Sequence, residues 1–190
     1  MSNAPGHRTL YLIVCGAGPA PHAGRLVVAA QQRTWDVHVI ATPAAMAFID
    51  LHSLEELTTH PVRSQYRLPG EGQRDSLPNA SVIIVAPATY NTINKWAHGT
   101  SDTYALGILA ESIGLGIPVV VLPFVNSALA AHFAFGRSVR ALRTAGVRVL
   151  MGPGEWEPHA PGTGGMHLDS FPWSLALDAA ESMAQQGSLD

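Results

Sequence analysis

The sequence predicts an α/β fold: a single Rossmann-like, doubly wound parallel sheet with helices on both faces. Three observations predict it. Runs dominated by branched apolar residues recur at 10–15, 37–41, 82–86, 118–122 and 147–150, the pattern of strands covered on both sides. Segments of helical character separate these runs, and the connections between them are short. Small polar residues and glycines cluster directly behind the first three runs, where strands of such a sheet hand over to helices.

The first strand stops at Gly16, and the loop Gly16-Ala17-Gly18-Pro19-Ala20-Pro21 leads into a helical segment over 22–33 with Leu26, Ala29 and Ala30 on one side. After the strand at 37–41, Met46, Ile49, Leu54 and Leu57 partly follow a helical period, with Pro43 as an early helical residue. Residues 58–79 contain Pro61, Pro69, Gly70, Gly72 and Pro78 and read as a loop with at most a short strand around 64–68. The strand at 82–86 precedes helices beginning near Asn91 and Thr103, then the strand at 118–122. Residues 127–145 are helical by composition, Gly146 is their cap, and 147–150 form the last strand. A Gly- and Pro-dense stretch over 152–165 is expected as an exposed flap before a helix over 172–186. The 190 residues make one domain, with a core at about 8–150, a flexible flap at 151–170 and a C-terminal helix at 171–190.

Composition narrows the function. Apolar residues make up 47% of the chain and charged residues 13%, about half the roughly 25% of an ordinary soluble domain, so subunit interfaces are expected. A net charge of −3 with no Lys or Arg run lacks the footprint of a nucleic-acid or anionic-membrane partner. The apolar window 104–125 is broken by Glu111, three glycines and Pro118, which excludes a membrane span there. A single cysteine, Cys15, and no secretory leader point to a cytoplasmic protein. The nine histidines form no pair at helical ligand spacing beside a carboxylate, so no metal is expected, and no Gly-x-Ser-x-Gly supports hydrolase chemistry.

The glycines of Gly16-Ala17-Gly18 let backbone approach a phosphate. A dinucleotide fingerprint needs a third glycine and an acidic residue ending the second strand; Pro21 and the Ala41-Thr42-Pro43 turn stand there instead, which disfavours NAD. A hydroxyl at Thr42 suits a phosphate oxygen or a ribityl chain better than a ribose diol. The bland alternative is a strand-to-helix turn with Thr42 as a helix cap.

Behind the third strand lies PATYNTINKWAHGTSDTY, residues 87–104. It resembles the PASANTINK motif of the homo-oligomeric flavin-containing cysteine decarboxylases: Pro87, Ala88, Asn91, Thr92, Ile93, Asn94 and Lys95 fit, while Thr89 and Tyr90 replace Ser and Ala. The resemblance runs from about 10 to 150 and implies non-covalent FMN. It assigns the phosphate to Gly16, Ala17, Gly18 and Thr42, and the flavin lining to Thr89, Tyr90, Asn91 and Thr92. It also implies a flavin seated between subunits of a homo-trimer or higher assembly. Asn91 has an alternative role as a helix cap; Lys95 and Trp96 are expected on a helix surface or interface. Asp102 matches a family Gly-x-x-Asp turn, but is favoured as the cap of the helix starting near Thr103.

The substrate side departs from the family. Its usual histidine is Gln73 here, which cannot exchange a proton near neutral pH, leaving His52 or His60 as outside candidates. The family's Pro-x-Met-Asn-x-x-Met-Trp clamp reads Pro123-Phe124-Val125-Asn126-Ser127-Ala128-Leu129-Ala130, retaining Pro and Asn. Asn126 is either a ligand contact or the cap of the next helix. The expected function is an FMN-binding enzyme acting on a small carboxylate-bearing metabolite or a modified peptide. The alternatives are a decarboxylase of a cysteine-derived thiol, the related flavin prenyltransferase, for which residues 123–130 offer no basic grip on a prenyl phosphate, and a non-catalytic flavin-binding subunit.

Overall fold

A computed structural model describes residues 8–66 and 77–186. Gln73 lies outside the described residues. Five strands, β1 (Arg8–Val14), β2 (Trp35–Ala41), β3 (Val82–Ala88), β4 (Val119–Pro123) and β5 (Arg148–Val149), pair in the order β2-β1-β3-β4-β5, every pair parallel. Seven α-helices pack on the sheet among the described residues: α1 (Gly24–Gln32), α2 (Leu51–Thr58), α3 (Tyr90–Ala97), α4 (Tyr104–Gly114), α5 (Ser127–Ala131), α6 (Phe133–Thr144) and α7 (Trp173–Gln186).

Alternation along the strands builds two cores. Leu10, Leu12, Val14, Val37, Val39, Ile84 and Leu122 face α1 and α7; Ile13, Ile40, Ile83, Val85 and Val121 face α3, α4 and α6. Burying one such side chain is worth roughly 1.5–3 kcal/mol, far more than a helix cap at about 1 kcal/mol, so the apolar runs place the strands and the caps only set helix ends. α7 buries Trp173, Ala176, Leu177 and Ala180 over β3 and β4, and Arg33 at the end of α1 reaches its Asp178 at 2.6 Å and Glu181 at 2.9 Å.

Several expected elements are divided, each at a polar capping group or a proline. The segment 22–33 begins as a 3-10 turn, Ala20–His22, behind Pro19, and becomes α-helical only from Gly24. Residues 43–57 split into a 3-10 turn, Pro43–Ala47, and α2, because the Asp50 carboxylate accepts from the Ser53 amide and starts a new helix. The helix expected over 127–145 breaks at His132, whose ring accepts from the Ala134 amide. No strand forms over 64–66; Arg63 instead makes one parallel bridge to Ile40 of β2.

Candidate functional site

β1 continues outward to β2, whereas β3, β4 and β5 extend on its other side, so the winding reverses between β1 and β3. Loops leaving two strands at such a reversal diverge and open a crevice at the carboxyl edge of the sheet. Gly16 follows β1 and Thr89 follows β3 at that edge, and Thr42 joins them at the end of β2. Backbone bonds hold the three exits together: Cys15 donates to Pro87 O at 3.1 Å and Thr42 to Val14 O at 2.9 Å.

Two adjoining depressions occupy the crevice. One, of about 310 Å³, is lined by Gly16, Thr42, Thr89, Asn91, Thr92 and Lys95 among others. The second, of about 340 Å³, meets it at Gly16, Thr89 and Asn91 and continues along Ala17, Gly18, Tyr90, Phe124, Asn126 and His159. The structure therefore brings all eight expected cofactor residues and Asn126 to one rim. Neither depression is lined by a described carboxylate.

The close approach at Gly16 has a steric cause. A Cβ there would lie 2.9 Å from the backbone carbon and oxygen of Ala44, so only glycine lets the loop after β1 lie against the turn after Thr42. At Gly18 a Cβ would meet Leu168 Cδ2 at 2.8 Å and Phe124 at 3.2 Å, so the later segment packs directly on this loop.

Thr42 is buried, starts the 3-10 turn in extended conformation, and makes no side-chain cap bond, contrary to the plain capping role. Thr89, rather than Asn91, caps α3: its hydroxyl accepts from the Thr92 amide at 3.2 Å and meets the Thr92 hydroxyl at 2.9 Å. Asn91 is left exposed in the first turn of α3. Tyr90 stacks on Phe135 at 5.4 Å between ring centroids, which fixes its position on the rim.

Three expectations are corrected. Trp96 is a core residue, 4% exposed, and its indole N–H donates to Leu109 O at 2.9 Å; the helix turns it inward beside Ile93. Asp102 does not cap α4, because the Thr103 hydroxyl accepts from the Leu106 amide; Asp102 pairs with Lys95 instead. The segment after β5 is not a free flap. His159 O accepts from the Ser127 amide at 2.7 Å, the His159 ring lies 4.7 Å from that of Phe124, and Trp156 packs edge-on against Phe171 at 5.6 Å.

His52 and His60 stay away from the crevice. His52 is exposed on α2 beside Glu56, and His60 is bound to Asp36 on β2. His159, which sequence reasoning missed, is the histidine that lines the second depression. Its Nδ1 is buried without a hydrogen-bond partner, and burial, followed by the charge of nearby His167, holds its pKa below that of an ordinary imidazole. The fragment Glu157-Pro158-His159 carries no local signal for this, because the contact is made across 35 residues with Phe124.

A family model described as Flavoprotein matches residues 2–168. Among curated proteins, the coenzyme A biosynthesis bifunctional protein CoaBC of Thermococcus kodakarensis is 25% identical over 122 residues, 60% of this chain; the chain spans only 29% of that relative's length. Among solved structures, the FMN-dependent cysteine decarboxylase TvaF from thioviridamide biosynthesis is 25% identical with a TM-score of 0.63, covering 93% of this chain and 99% of its own. A PPC decarboxylase mutant complexed with pantothenoylaminoethenethiol shares the fold at 18% identity and a TM-score of 0.63, covering 86% of this chain and 96% of its own.

Proposed function

The chain belongs to the flavoprotein family, and from that premise we propose that it is an FMN-binding enzyme acting on a small carboxylate-bearing metabolite or a modified peptide. The observation that carries this reading is the meeting of the three strand exits at the β1/β3 reversal, in two joined depressions free of described carboxylates. The residues fit the group. Gly16 makes room for backbone to approach a phosphate, the Thr42 hydroxyl has no capping duty, and the first turn of the eight-residue α3 offers amide donors at the rim. Gly16, Ala17, Gly18 and Thr42 would hold the phosphate, and Thr89, Tyr90, Asn91 and Thr92 the remainder.

Bound FMN would supply a two-electron acceptor beside the substrate. The chain's own residues supply orientation and proton handling. Asn126 borders the second depression and carries both a donor and an acceptor for a carboxylate or amide. Mixing apoprotein with FMN is expected to quench flavin fluorescence, with Gly16→Val abolishing the effect while the chain stays folded; a wild-type chain that takes up no FMN refutes the reading.

The position of His159 favours a more specific version, decarboxylation of a cysteine-derived thiol. We assign its imidazole, which borders the second depression, the task of accepting and returning a proton on the substrate side. Carbon dioxide release from a peptide ending in cysteine, by FMN-loaded protein, should fall about 10²-fold in His159→Gln. Undiminished release in that variant removes the role. No release by wild type, with flavin bound and its spectrum unmoved by thiols or acids, assigns the chain to non-catalytic flavin binding.

The exposed apolar side chains Leu115, Phe133 and Met166 and the low charge support a homo-oligomer.

A further inference from the structure

The geometry points to a second site, away from the crevice: Asp36, His38 and His60 form a three-donor centre for a divalent transition ion of the zinc type. Asp36 and His38 stand two apart on β2 and therefore on the same face of the sheet. His60 comes from the turn after α2, and its Nε2 lies 2.7 Å from Asp36 Oδ1, while His38 Nε2 lies 3.2 Å from Oδ2. One donor atom from each residue falls within 4.8 Å of the others. Tetrahedral zinc with nitrogen and oxygen ligands at 2.0–2.1 Å needs donors about 3.3 Å apart, so small side-chain adjustments seat the ion between the carboxylate and the two rings.

The surroundings hold the donors for this. The rings of His38 and His60 stack at 4.0 Å between centroids with 15° between planes, presenting both Nε2 atoms toward one carboxylate. His60 is pinned on both sides. The Thr58 hydroxyl bonds its amide and its carbonyl, and three residues on, Arg63 pairs with β2 through Val39 O at 3.0 Å and the Ala41 amide at 2.7 Å. Two imidazole nitrogens and one carboxylate oxygen form a nitrogen-rich set that selects zinc-like ions over magnesium or calcium. The centre escapes a search for helical histidine pairs because a strand and a distant turn assemble it.

The ion would join the 60–63 segment to the edge strand β2, which leads into Thr42. Untagged protein, stripped with chelator and dialysed against Zn(II), is expected to retain about one ion per chain, and Co(II) in its place to give the visible absorption of a four-coordinate centre. His60→Asn and Asp36→Asn should each weaken Zn(II) binding at least tenfold, with His52→Asn unchanged. His60 is half-exposed, and thermal unfolding of its variant confirms the fold. Equal retention by His60→Asn and wild type, or no Co(II) absorption by the intact chain, overturns the proposal and leaves the carboxylate as a hydrogen-bond acceptor for two rings.

Discussion

Asn126 Oδ1 accepts from the Leu129 amide at 2.9 Å, and the same residue borders the second depression. The two duties separate by substitution. Asn126→Asp keeps the accepting oxygen and should leave stability within about 0.5 kcal/mol while weakening an anionic ligand, whereas Asn126→Ala should cost about 1 kcal/mol by denaturant unfolding. Cys15 is fully buried, and desolvation pushes its thiol pKa up against the bonds from Thr92 and Thr89 that lower it. It should resist thiol reagents in the native protein and react fully in denaturant; rapid native labelling contradicts this placement. His159 gives a pH signature. Its pKa is lower folded than unfolded, so its contribution to stability is whole above about pH 6.5 and is lost as pH falls through the depressed folded value. Between about pH 7 and about pH 5 the melting temperature should therefore fall more in wild type than in His159→Gln, and equal slopes refute it.

At the level of elements, the strands were legible because runs of branched apolar side chains have few alternatives to a doubly covered sheet. Helix ends were less so. Thr89, Thr103 and His132 each compete with a neighbouring capping candidate, and which group reaches the free amide depends on the approach of the chain rather than on residue type. The same limit explains Trp96, whose inward face is set by where Leu109 of α4 lies. The site was legible in its glycines and hydroxyls, which sit within single loops; His159 and the Asp36–His38–His60 cluster were not, being tertiary encounters between segments far apart in sequence. Thr89→Ala should destabilise the chain by about 1 kcal/mol and loosen the start of α3, read by amide exchange at Thr92 and Ile93.

For the whole molecule, apolar side chains such as Leu115, 71% exposed, and Phe133, 67% exposed, set the expectation for assembly. Light scattering should return a mass at a multiple of the 20.1 kDa chain, and Phe133→Glu should lower it; a monomer at every concentration would contradict the homo-oligomer. The role of α7 extends to biosynthesis. Because residues 173–186 supply the cover over β3 and β4, those strands have been translated long before their lid emerges from the ribosome. A nascent chain halted just short of that segment would present a greasy, unsheltered plane to its surroundings, the stage at which association with other chains is easiest.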